Sequence, residues 1–313
     1  MFGFVLVLPL MLIIITGNLL RARGFYNESD IKTLTKTLYW VILPPLLFRT
    51  TFVSGIDIRN NPKILLAVLI SSFFTILFSW LVGKICIHKN NPKRLAVSVL
   101  ASIRSNTIYI GLPLSYLVMG DLGFNNAAMF IAISYVPRQL LSIYFAEIIL
   151  MESFKHENFL KQLKRIIINP LILACLTGFL FSFFKINIIN NISDNIIKIL
   201  SNSATAIALI SLGGTLKFFN MASFFRILRD TWQECVFRFV VNPMIMWIVM
   251  YYLKIDIQIL MIAVLITAMP TSIDTFVLAK ELGGDDKFAA DIATLTTILS
   301  IVAIPIWIRI IKF

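Results

Sequence analysis

Two short stretches of an otherwise apolar chain carry residues able to bind a small polar molecule. The first, RSNTIYIGLPL, brings together Arg104, Asn106, Thr107, Gly111 and Pro113. Proline lacks a backbone donor and clashes with the preceding helical turn, while glycine tolerates unusual dihedrals. An interrupted helix is therefore predicted, with Asn106 and Thr107 offering side-chain hydrogen bonds beside the break. In low-dielectric surroundings such groups need substrate, water or a neighbouring helix as partner. A packed kink in which Asn106 satisfies local backbone is the alternative. The second stretch, AMPTSIDTF, is matched to the first through Pro270. Thr271 and Ser272 supply small hydroxyls just beyond it, and amides freed where a helix restarts favour an anion. Capping of the renewed helix is the alternative there. Asp274 follows as a gate, an arginine partner or a proton- or cation-coupling residue.

Further basic and polar residues lie deep in apolar runs. Arg104 sits roughly 15 Å of helix rise into its segment, Arg138 and Gln139 follow Pro137, and Arg238 lies inside another run. A charge at such depth faces protein or water. Arginine grips a carboxylate through two parallel hydrogen bonds, so Arg104 and Arg138 suit an anionic substrate. Pairing with Glu147, Asp274 or Asp291 is their alternative, as is a long side chain reaching the membrane interface. The last reading suits Arg238 and also Arg49. His88 and His156 fall in loops and are expected to be solvated. Cys86, Cys175 and Cys235 form no metal spacing, and there is no nucleotide loop, zinc motif or catalytic triad. Neither cofactor nor metal is expected, and the chain does not read as an enzyme.

The elements that must position these residues are membrane helices. Of the 313 residues 58% are hydrophobic and only 14% charged, with a mean hydropathy of +0.88, too little polar surface for a water-soluble protein of this size. About 20 apolar residues cross a bilayer as helix. Ten spans are predicted, over 2–20, 34–53, 63–84, 94–118, 124–147, 166–184, 196–216, 231–253, 257–279 and 289–309. The amino terminus lacks a positive region ahead of its apolar part and reads as a retained span. Lysines and arginines are concentrated in the loops after odd-numbered spans, which makes those loops cytoplasmic and places both termini outside. The formal charge of +12 is thus spread over separate loops, without a motif for nucleic-acid recognition.

Pro9 and Gly17 share the spacing of Pro170 and Gly178, and Pro113 and Pro137 have counterparts in Pro270 and Pro305. Two five-span units are expected, 1–147 and 166–313, joined by a short cytoplasmic linker at 148–165. An odd number of spans inverts the second unit, the usual plan of secondary transporters. Inverted repeats also occur in channels.

Five segments in order, LPLMLIIITGNLLRARGF, YWVILPPLLF, NTIYIGLPL, LISLGGTL and MPTSIDTFVLAKELGGD, resemble the auxin efflux carrier family, which includes bacterial carriers assigned to malate or malonate. The resemblance implies an all-α integral membrane protein of ten transmembrane helices in two inverted five-helix repeats, with broken helices 4 and 9 crossing (a bile-acid-transporter-like fold). It implies a scaffold of helices 1, 2, 6 and 7, often a homodimer contact, and a moving bundle of helices 3–5 and 8–10 that works as an elevator. Gln139 and Tyr144 fall where plant members of the family place a glutamine and a tyrosine around a bound carboxylate, and Arg138 beside Gln139 departs from that pattern toward a small, strongly anionic acid. The function expected is transport of small organic anions such as malate or malonate across the cytoplasmic membrane, with proton or sodium coupling open. An exporter of auxin-like aromatic carboxylates and a sodium-coupled bile-acid-like symporter are the alternatives. The paired glycines of SLGGTL read as helix packing, and ELGGDDK reads as a solvated turn.

Overall fold

The computed structural model describes residues 2–60, 62–88, 91–150, 168, 170–186, 191–215, 221–272 and 274–311. Every regular element among them is helical. In chain order these are α1 (Phe2–Ala22), α2 (Glu28–Thr37), α3 (Leu43–Asn60), α4 (Lys63–Val82), α5 (Pro92–Ile103), α6 (Leu112–Leu150), α7 (Pro170–Phe183), α8 (Asn191–Thr215), α9 (Met221–Val236), α10 (Asn242–Tyr252), α11 (Ile257–Thr267), α12 (Asp274–Leu282) and α13 (Asp286–Ile311). Single wide π turns extend or join several of them, at Leu38–Ile42, Gly83–Ile87, Thr107–Gly111 and Phe237–Val241. Most of the expected linker, residues 151–165 with His156, lies outside the described residues.

The expectation of ten spans in two inverted five-helix repeats is not upheld. Among the described residues four helical lengths are long and apolar enough to cross a membrane: Lys63–Ile87, Thr107–Leu150, Phe224–Tyr252 and Asp286–Ile311. Met11–Ala22 and Ile257–Thr267 are shorter apolar helices. The physical reason is that a hydropathy window averages across chain breaks. Residues 94–118 leave the helix at Arg104, 257–279 leave it after Thr267, and 34–53 begin in the polar turns of α2. Residues 124–147 belong to the longer α6, whose regular path is broken only at Met119 and Gly120.

Helix α4 displays how such helices bury themselves. Ser71, Ser72, Thr75 and Ser79 point inward and are almost completely buried, while Phe73, Phe74 and Phe78 are turned outward. Thr75 donates to the Ser71 carbonyl at 2.8 Å. Small hydroxyls inside and bulky apolar groups outside reverse the pattern of a soluble helix and suit lipid contact. Elsewhere glycine sets the spacing. A Cβ at Gly17 would overlap the Ile210 carbonyl, one at Gly213 the Ile14 carbonyl, and one at Gly178 the Phe48 carbonyl. These contacts bring α1 onto α8 and α3 onto α7. The end of α8 is closed by Arg21, which donates to the Gly214 carbonyl at 2.6 Å, and by Asn18, which donates to that of Gly213 at 3.2 Å.

Candidate functional site

Two extended segments cross where α5 and α11 end. Arg104 leaves α5 at φ −84°, ψ 85°, and Ser105 forms an isolated antiparallel bridge with Thr271. The Asn106 amide donates to the Pro270 carbonyl at 2.8 Å, and the Ser272 amide donates to the Arg104 carbonyl at 2.9 Å. Each broken end thus satisfies part of the other, which a membrane interior demands. The break lies upstream of Gly111 and Pro113. Those two buried residues lie in the helical length that resumes at Thr107, Gly111 ending its π turn and Pro113 following two residues on. Pro270, also buried, lies in the crossing itself.

A cavity of about 270 Å³ opens beside this crossing. Of the residues singled out in the sequence, Arg104, Asn106, Thr107, Arg138, Gln139 and Ser272 line it. Gly111, Pro113, Pro270 and Thr271 stand behind the lining. Thr271 is fully buried, its amide donating to Thr296 Oγ1 at 3.1 Å and its hydroxyl to the Ala101 carbonyl at 3.4 Å. Since the amides of Thr271 and Ser272 both have backbone or side-chain partners, the free amides expected after Pro270 are not offered at these two positions. Tyr144 is about half exposed, on a part of α6 away from the cavity, with its ring against Phe145. Asp274 opens α12.

Asn106 is 1% exposed; its side-chain oxygen accepts from the Tyr109 amide at 3.3 Å, while its Nδ2 is buried and unmatched by protein. Arg138 is buried in the middle of α6. Its Nη2 donates to Asn242 Oδ1 at 3.1 Å, and its Nε and Nη1 are buried without a protein partner. Asn242 in turn donates from Nδ2 to the Thr267 carbonyl at 3.2 Å, so α6, α10 and the end of α11 are tied together. No aspartate or glutamate lines the cavity among the described residues. The arrangement presents positive charge and hydrogen-bond donors to a small enclosed space, which is the chemistry of anion binding.

Several participants escaped the sequence reading. Arg238, expected to reach the membrane interface, is fully buried: it donates from Nη1 to Ser105 Oγ at 2.8 Å and from Nη2 to the Ser102 carbonyl. Its depth was visible in the sequence, and only the direction of its side chain was not. Thr35 and Ser211, whose hydroxyls lie 2.6 Å apart, close the far wall from α2 and α8. Arg49 pairs with Asp194 at 2.5 Å instead of extending to the interface alone. His88, expected to be solvated, is 5% exposed. In ELGGDDK, Asp285 caps α13 through the Phe288 amide and pairs with Arg94 at 3.2 Å.

The model of a family described as membrane transport protein matches residues 2–308. The chain is 24% identical over 306 residues to an uncharacterized transporter of Methanocaldococcus jannaschii, covering 96% of each chain. It is also 24% identical over 308 residues to an uncharacterized transporter of Methanothermobacter thermautotrophicus, again covering 96% of each.

Proposed function

We propose, since this chain belongs to the membrane transport protein family of secondary transporters, that it carries small dicarboxylates such as malate or malonate across the cytoplasmic membrane. It is a multi-pass membrane transporter and not an enzyme; the substrate class and the residues are our reading. The single observation that carries this reading is Arg138, a buried guanidinium with two unmatched nitrogens on a cavity whose described lining has no acid. Nε and Nη1 face different edges of the guanidinium, so the carboxylate oxygens of an anion placed there would accept from each separately. Asn106 Nδ2 and the hydroxyls of Thr107 and Ser272 would hold its remaining oxygens, and Arg104 would add positive field. A cavity of about 270 Å³ lies just below the roughly 300–1,000 Å³ of pockets for drug-sized ligands, which favours a short acid.

The crossing then moves as one body past α1 and α8, carrying the anion with it in the manner of an elevator. With the termini outside and the potential negative inside, uniport drives a dianion outward, at about 2.3 kcal/mol per charge per 100 mV. Uptake requires a co-transported cation or an exchanged anion. Tyr39, Tyr109 and Tyr135 also line the cavity, which favours an aromatic monocarboxylate as the second reading.

Uptake of labelled malate into proteoliposomes, with malonate and indole-3-acetate as competitors, tests both. Saturable uptake blocked by malonate and indifferent to indole-3-acetate is expected. Competition by indole-3-acetate alone would transfer the site to the aromatic reading, and no uptake under any imposed gradient would reject malate.

A further inference from the structure

A second polar cluster is buried away from the cavity, and the anion reading makes no use of it. His88 follows the π turn that ends α4, and Glu234 lies on α9; they are 5% and 3% exposed. His88 Nε2 and Glu234 Oε1 are 3.2 Å apart, and the Ser98 hydroxyl donates to the same oxygen. Glu234 Oε2 is buried and has no protein partner. The imidazole edge rests on the Phe288 ring, with centroids 5.5 Å apart.

Two helices connect this cluster to the cavity. Ser98 and Ser102 lie one turn apart on α5, and Glu234 and Arg238 lie one turn apart along α9 and its π turn. The first serine contacts the glutamate, and the carbonyl of the second accepts from the arginine. Arg238 then donates to Ser105 at 2.8 Å, and Ser105 lines the cavity. Two sets of polar contacts, one around Glu234 and one around Arg238, therefore lie one helical turn apart between His88 and the crossing. Ionisable groups inside a membrane protein mark substrate and ion pathways and proton relays.

We propose that His88 and Glu234 form the proton-binding site of this carrier, one proton being held by the pair for each anion moved. The inference rests on the anion-carrier reading. A fixed ion pair would serve structure as well with lysine or arginine; here both partners can gain or lose a proton, and one carboxylate oxygen is unsatisfied. No bond other than that of the proton is made or broken: it binds from one side of the membrane and leaves to the other, and a dianion moved with it transfers one net charge instead of two. Other charges approach from each side. Arg94 stacks on Phe288 at 4.8 Å and pairs with Asp285. Asp291 on α13 feels Lys287, Arg226, Asp285 and Arg94. Arg238 follows one turn along, and Gln233 on α9 donates to the Ser79 carbonyl of α4 at 3.4 Å. Lys84 lies over Trp80.

The test uses the full chain in proteoliposomes with malonate as probe. Labelled malonate entering vesicles loaded with unlabelled malonate reports exchange, and sealed pyranine reports protons entering with net malonate. Glu234→Gln and His88→Gln are expected to keep exchange while losing both proton entry and stimulation by an inward proton gradient. Net malonate entry in the wild type without protons overturns the proposal, as does stimulation by sodium alone. Undiminished proton entry in both variants overturns it, and so does loss of exchange in both, which would make the pair a prop for the fold. Absence of malonate exchange in the wild type counts instead against the anion reading. The pair is then decided by infrared difference spectra of the purified protein between acid and alkaline pH: a carboxylic signal missing in Glu234→Gln supports the site, and identical spectra overturn it.

Discussion

The contact between α1 and α8 and the crossing between Arg104 and Ser272 use space in opposite ways. At the first, Gly17 and Gly213 give up side chains so that backbones touch, and the carbonyls at the end of α8 receive Asn18 and Arg21. At the second, the backbone leaves the helix, two segments satisfy part of each other, and Asn106 and Arg138 retain unmatched nitrogens beside a cavity. Close packing without voids gives rigidity, whereas a buried donor without a partner costs stability and is kept where a ligand can satisfy it. The same interior thus contains a closely packed region and, on the proposed reading, a region built for an exchangeable partner.

The comparison breaks most visibly at Gly213. Gly213→Leu inserts bulk against the Ile14 carbonyl and is expected to cost about 3 kcal/mol or more, seen as loss of monodisperse protein or a large fall in melting temperature. An unchanged melt would deny that α1 and α8 are held by this contact. At the crossing the loss should be functional. Arg138→Gln removes charge-assisted bonds worth ~2–3 kcal/mol, so malonate exchange should drop about 30- to 150-fold with a melt close to wild type. Exchange within a factor of two or so (~0.4 kcal/mol) would take Arg138 out of the site. Asn106→Ala is milder, about tenfold in exchange for one neutral hydrogen bond. A change in melting without a change in exchange would reduce Asn106 to the cap it makes on Tyr109.

The smallest effect belongs to the surface. Hydrogen bonds from Arg49 and then Lys198 hold the Asp194 carboxyl down to about 2, against an ordinary 3.8. Because the folded value is the lower one, the pair stabilises the fold above about pH 4, and this contribution is lost as the pH falls toward 2. Being partly exposed, it is worth under ~1 kcal/mol. Melts of Asp194→Asn and wild type should therefore differ slightly at neutral pH and converge in acid; a difference that grows in acid would contradict the pairing.

What could be read in advance followed from local chemistry. Pro113 and Pro270 marked broken helices, and Asn106, Arg104, Arg138 and Ser272 announced a polar place in an apolar chain. The breaks themselves proved to lie where two extended segments pair, and that pairing joins residues far apart in sequence, which no local pattern encodes. For the same reason Arg238 could be seen to be deep but not to reach Ser105, and His88 looked like a loop residue until α9 brought Glu234 to it. The span count failed because hydropathy measures composition over a window and is blind to the backbone leaving its helix at Arg104 or after Thr267.

The most direct measurement is equilibrium dialysis of labelled malonate against the purified protein, comparing wild type with Arg138→Gln. Saturable binding by the wild type that disappears in the variant, with both proteins melting alike, is the predicted result. Equal binding by the two would contradict an anion site at Arg138.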